Sequence, residues 1–153
     1  MDFAIRGHGL TKTYGAGLIA VRALRDVDVE ARRGEVVALL GPSGSGKSTL
    51  LTTLGLLNLP DRGSVWIGDT LAVEDGRARA DLAALRRTRL GFVFQKANLV
   101  PFLDAEENVR LPLYLDGKTG SGARRRAREL LAYLGLEDRT EHHPEQLSGG
   151  QQQ

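Results

Sequence analysis

An unbroken apolar run, Val36 to Leu40, leads directly into Gly41, Pro42, Ser43, Gly44, Ser45, Gly46, Lys47, Ser48 and Thr49. Leu50, Leu51, Leu54 and Leu57 follow at helical spacing. No other feature restricts the fold so tightly. An apolar run of strand length suits a strand buried on both faces of a parallel sheet, and the leucines beyond the loop suit a helix. Strand, glycine loop and helix in that order specify an α/β core.

The loop itself, glycine, four residues, then Gly-Lys-Ser, satisfies a phosphate-binding pattern. Glycines at 41, 44 and 46 let backbone N–H groups turn inward and approach phosphate oxygens, and the helix that follows favours the same negative charge at its N-terminus. Lys47 can reach the outer phosphates and the Ser48 hydroxyl can ligate Mg²⁺. The pattern therefore implies a nucleoside triphosphate with magnesium.

The rest of the chain organises around this loop. Ala23 to Glu30 alternates as a half-buried strand, Arg32 to Glu35 reads as a turn, and Ser64 to Ile67 as a short strand after the turn residues Pro60 to Gly63. Arg77 to Arg89 reads as a basic helix with Leu82 and Leu85 inward, and Phe92 to Phe94 as another buried strand. Beyond Gln95 the pattern turns to helices and loops. Asp104 to Glu107 has a capping-box arrangement, and Pro112 is expected to end or kink that helix. Ser121 can cap a second helix with Ala127, Leu130, Leu131 and Leu134 inward and Gly135 as its stop. The expected architecture is a phosphate-loop NTPase core with a parallel sheet, an N-terminal antiparallel β section and a mostly helical subdomain. The division falls into residues 1–94 and 95–153.

Composition excludes several functions. The 153 residues contain no cysteine, so disulfides, thiolate metal sites and cysteine nucleophiles are ruled out. His142 and His143 are neighbours without further ligands and read as loop residues. No apolar run approaches the ~20 residues that span a bilayer, and the first ten residues lack the pattern of a signal peptide. A net charge of +2 gives no case for nucleic acid, so Arg86-Arg87 and Arg124 to Arg126 read as solvated helix faces.

Leu147, Ser148, Gly149, Gly150 and Gln151 make up the signature sequence of ABC-type ATPases, and with the phosphate loop the chain resembles that family over nearly its whole length. The resemblance implies that Tyr14, in Thr11-Lys-Thr-Tyr-Gly15, stacks on adenine. It implies that Gln95 senses magnesium and the γ-phosphate, and that the stretch of residues 98–109 lies against a transmembrane partner. The subgroup it resembles serves lipoprotein release, macrolide export and cell division. The implied protein is the ATP-binding subunit of a transporter, hydrolysing ATP to move a permease partner. It would work with a second ATPase subunit whose signature faces the γ-phosphate, and sit in the cytoplasm at the inner face of the membrane.

Family members continue past the signature into a strand ending in Asp-Glu and then a switch histidine. Neither is found here. Asp69 and Asp116 each follow apolar residues, but both precede the signature and neither is followed by glutamate. The chain is therefore expected to be the N-terminal part of a cassette and not to hydrolyse ATP by itself. The helix opened by the signature is expected to be too short to form. Two other readings fit the same motifs: a soluble ABC-type ATPase of DNA repair or translation, and a catalytically dead nucleotide-binding fragment.

Overall fold

The computed structural model describes residues 3–153, and the chain divides into two compact units, Met1–Gly91 and Phe92–Gln153. The division falls just ahead of the boundary expected after Phe94.

The first unit is built on a sheet of β1 (Phe3–Tyr14), β2 (Val21–Arg32), β3 (Arg62–Ile67), β4 (Thr70–Glu74) and β5 (Arg77–Ala78). Their order is β2-β1-β3-β4-β5, and every neighbouring pair is antiparallel. Tight connections make this possible. Asp75-Gly76 (φ 45° and 73°) joins β4 to β5 in the doubly left-handed turn that matches strand twist. The inner face contributes Leu10, Leu24, Val65, Ile67, Ala72 and Val73 to one apolar cluster. Against it packs α1 (Lys47–Leu54) through Leu50 and Leu54, with the buried Leu56 just past its end. Each such side chain contributes about 1.5–3 kcal/mol on burial.

Several local expectations are corrected here. Val36 to Leu40 forms no ladder with any described residue; Val36 and Leu40 are 97% and 89% exposed, although Leu39 packs on the core. A central parallel strand needs hydrogen-bonding neighbours on both edges, and no described strand offers one. The same holds for Phe92 to Phe94, where Val93 is exposed and the two phenyl rings stack on each other at 5.7 Å. The α1 stripe ends before Leu57, which is exposed because Gly55 caps the helix and Leu56 turns left-handed (φ 59°) to fill the core. Residues 77–78 are strand, and α2 (Leu82–Arg89) starts only after its N-cap Asp81, whose carboxylate accepts from the Ala84 N–H at 3.0 Å.

The second unit holds α3 (Ala105–Leu115), α4 (Ser121–Tyr133) and a single turn, α5 (Gly149–Gln152). At the start of α3 the capping box of Asp104 and Glu107 forms as expected. Its first two amides are satisfied by the carbonyls of His142 (2.9 Å) and Thr140 (2.9 Å). Pro112 does not end α3, which runs on to Leu115. The proline is exposed, so water can serve the Asn108 carbonyl that loses its donor. Ser121 is the first helical residue of α4 rather than its cap; Gly120 holds that place (φ 90°) without a side-chain bond. Gly135 stops α4 as expected, at φ 70°: its N–H bonds the Ala132 carbonyl and Leu136 N–H the Leu131 carbonyl, a Schellman closure. Ala105, Leu131 and Leu147 form the buried cluster of this unit, with Val109 and Leu136 against it, whereas Leu134 stays exposed.

Glu106 is buried between α3 and α4. Arg128 Nε lies 2.5 Å from its Oε2, while Arg110 Nη1 and Arg124 Nε approach Oε1 at 3.0 and 2.8 Å. Burial alone would raise the Glu106 pKa, but hydrogen bonds from Arg128 and Arg110, with the charge of Arg124, hold it below its ordinary value. The cluster therefore contributes stability above the usual carboxylate range and loses it as pH falls through the lowered value. Glu106→Gln is expected to cost about 3 kcal/mol near pH 6. The variant should also show a shallower loss of urea stability below about pH 4 than the parent. Parallel pH profiles for the two proteins would show that the carboxylate contributes nothing.

Candidate functional site

The loop between residues 41 and 47 turns through three glycines at positive φ: Gly41 (152°), Gly44 (80°) and Gly46 (91°). They serve different ends. A Cβ at Gly46 would lie 2.4 Å from the Ala23 carbonyl oxygen of β2, and one at Gly41 would lie 2.8 Å from Ser45 Oγ. Gly44 faces open space, so only its left-handed backbone needs glycine. Lys47 folds back across the loop, its Nζ donating to the carbonyls of Gly41 (2.8 Å) and Pro42 (2.7 Å) and to Ser45 Oγ (3.3 Å). Leu50 makes an early helical bond, onto the Gly46 carbonyl at 2.8 Å, so the amides of Lys47, Ser48 and Thr49 precede the ladder. These amides lie with the lysine ammonium and the exposed Ser48 hydroxyl at the start of α1, the kind of place where a helix favours an anion.

Tyr14 ends β1, paired with Val21 and 41% exposed. Ala23, which meets Gly46, lies just beyond Val21, so the strand pairing brings Tyr14 and the loop to the same end of the β1–β2 hairpin. Asp61 fixes this end. Its carboxylate accepts from Lys12 Nζ (2.9 Å) and from the Thr13 N–H (2.7 Å), while its own N–H donates to the Thr11 carbonyl (2.7 Å). The Lys12 bond, outweighing a small burial penalty and aided by Thr13, holds the Asp61 carboxyl below its ordinary value. Lys12 Nζ lies 5.8 Å from the Tyr14 ring centroid. In the sequence Asp61 reads only as a turn residue; the signal for its role, a carboxylate facing a strand end, exists only in the fold.

Gln95 and the signature residues belong to the second unit. Gln95 is exposed at the bend after Phe94. The α5 turn does form, contrary to expectation. Ser148 and Gln151 close a capping box, with Ser148 N–H to Gln151 Oε1 at 2.9 Å. Gln152 Nε2 donates to the carbonyls of Pro144 (2.6 Å) and Leu147 (3.1 Å), and the buried Leu147 anchors the turn. Tertiary bonds thus replace the length that an isolated helix requires. Ser148, Gly149 and Gly150 are exposed, and a Cβ at either glycine would meet nothing within 4 Å. The histidines read as loop residues lie between two short 3-10 turns, His142 beside Arg139 and His143 capping the second.

A sequence profile described as ABC transporter matches residues 24–153. The chain belongs to the ABC transporter family. A relative from Thermotoga maritima, named as an uncharacterized ABC transporter ATP-binding protein, is 50% identical over 93% of this chain and 60% of its own length. A lipoprotein-releasing system ATP-binding protein of Bacteroides thetaiotaomicron is 42% identical over 97% of this chain and 66% of its own. A macrolide export ATP-binding/permease protein of Rhodopseudomonas palustris is 49% identical over 95% of this chain and 22% of its own. An ATP-binding cassette of Methanocaldococcus jannaschii, solved as a dimer in a post-hydrolysis state with ADP and Pi, superposes with a TM-score of 0.84 at 41% identity. That match covers 97% of this chain and 65% of the other. The chain thus spans 60% and 66% of the Thermotoga and Bacteroides relatives. No helix among the described residues is long and apolar enough to cross a membrane.

Gly46→Ala tests the loop. The added Cβ meets a backbone carbonyl at a left-handed φ, so the variant should lose about 1–3 kcal/mol of stability, read from denaturant midpoints. Unaltered stability would show that the loop does not depend on this contact.

Proposed function

We propose that this chain is the nucleotide-binding portion of an ABC transporter ATP-binding subunit. In that reading it takes ATP with magnesium, pairs with a second ATPase subunit and drives a membrane-embedded permease partner from the cytoplasmic side. The observation that supports the reading is the glycine loop, which turns through three glycines at positive φ into the free amides of α1, with Lys47 Nζ folded across it. The relatives' names support the transporter context, since they belong to lipoprotein-releasing and macrolide export systems.

In this reading the backbone N–H groups after Gly44 and Gly46 donate to phosphate oxygens, with Pro42, Ser43, Ser45 and Thr49 completing the wall. Lys47 exchanges its loop carbonyls for the outer phosphates, a lower-cost move than desolvating an ammonium from water. Two groups have the chemistry of magnesium ligands: the exposed Ser48 hydroxyl beside Lys47 in the first unit and, considered separately, the exposed side-chain amide oxygen of Gln95 in the second. A bound magnesium ion would neutralise charge on the phosphates. Tyr14, held by the Asp61–Lys12 clamp, offers its exposed face to the adenine. Ser148, Gly149, Gly150 and Gln151 serve the nucleotide of the second subunit. The Ser148 oxygen accepts from Gln151 N–H at 3.4 Å and keeps its own proton to donate.

Two variants test this. Tyr14→Ala should weaken ATP binding by about 1–3 kcal/mol, the range for a base stacked on an aromatic ring; an unchanged dissociation constant, by calorimetry, would remove Tyr14 from the site. Lys47→Ala should abolish magnesium-dependent phosphate release by the intact subunit, and turnover at the parent rate would overturn the phosphate-loop reading.

A further inference from the structure

The arginine run of α4 is not simply the solvated helix face that its sequence suggests. Arg124 and Arg128 lie one turn apart and converge with Arg110 of α3 on the single carboxylate of Glu106, whose side chain is only 5% exposed. The three guanidiniums remain open to solvent, at 34%, 56% and 50% for Arg110, Arg124 and Arg128. Three cations thus meet one anion. Three guanidiniums also carry about fifteen N–H donors, against about four lone-pair sites on one carboxylate. Most of those donors find no acceptor in the pair they form. Arg125 and Arg126 stand next to the group and share one further carboxylate, Glu129, at 3.6 and 3.5 Å. Glu141 acts on Arg128 at longer range.

A carboxylate that pins flexible cations from below fixes their positions before any ligand arrives. The ordering cost that usually opposes binding by long side chains is already met in folding. The planar fork of arginine matches phosphate oxygens two at a time, and the excess charge on the group suits a dianion better than a monoanion.

We propose that Arg110, Arg124 and Arg128, seated on the buried Glu106, form a binding site for a phosphate group, separate from the phosphate loop and independent of the transporter reading. The phosphate is either free or carried as a phosphomonoester on a lipid headgroup; both present the same dianion.

The test uses the 153-residue chain and two probes. Inorganic phosphate is titrated against chloride at matched ionic strength while the side-chain Nε–Hε NMR signals of the arginines are followed, which separates this site from Lys47. Saturable shifts of Arg124 and Arg128 are expected, with the dissociation constant about tenfold weaker in Arg124→Gln, which leaves Arg110 and Arg128 on Glu106. If that variant does not fold, Arg124→Lys, which keeps the charge but loses the fork, replaces it. Flotation with phosphatidic acid vesicles, against phosphatidylcholine alone, identifies the source. Flotation lost in the variant assigns a lipid headgroup, and saturable phosphate binding without flotation assigns a soluble phosphate compound. Shifts that are linear and equal in phosphate and chloride, with no variant-sensitive flotation, overturn the proposal, as does unweakened binding in the variant.

Discussion

Gly46 approaches the Ala23 carbonyl so closely that a Cβ there would lie 2.4 Å from the oxygen, and this contact seats the start of α1 against β2. The surrounding features depend on it. Leu50 and Leu54 reach the apolar face of the sheet only because the helix begins there, and the amides of Lys47 to Thr49 are aimed by the same placement. Cβ-free approach supplies the geometry, and burial of the helix supplies the energy that holds it.

The second unit is held together differently. Its apolar cluster is small, and a buried carboxylate joins its two long helices with three arginines. Loop hydrogen bonds do much of the remaining work. The Asn108 side chain accepts from the Val100 N–H and donates to the carbonyls of Val100, Leu103 and Asp104, so one residue of α3 fixes the segment leading into it. Residues 140–142 close the α3 amides in turn, and Leu147 carries the order on to Ser148. The exposed Ser148, Gly149 and Gly150 are thus positioned by neighbours that are themselves buried or bonded.

Much of this was legible in the residues because the bonds involved are short-range. The phosphate loop, the Asp104–Glu107 capping box and the Gly135 helix stop each depend on atoms a few positions apart. The Asp75-Gly76 turn was equally legible, and with it β4 and β5, but the basic composition of residues 77–89 suggested one helix instead. Asp81, a ready N-cap, marked the true start. Val36 to Leu40 and Phe92 to Phe94 show the opposite case. Their composition is right for buried strands, yet strand pairing is a property of two segments, and no described partner lies beside either.

By itself the sequence determined the chemistry of the phosphate loop. Glycine takes the positive-φ positions of the loop without strain, Lys47 and Ser48 offer their groups at a fixed spacing from it, and such constraints act within a single turn of chain. It also determined membership of the ABC transporter family through the order of its motifs. The tertiary structure alone decided which residues support the motifs. Asp61 clamps Lys12 across 49 positions, Glu106 gathers Arg128 across 22, and Gln152 stabilises a turn that its length would not sustain. Burial and ion pairing depend on distance in space, and sequence spacing fixes that distance only within a turn or a helix.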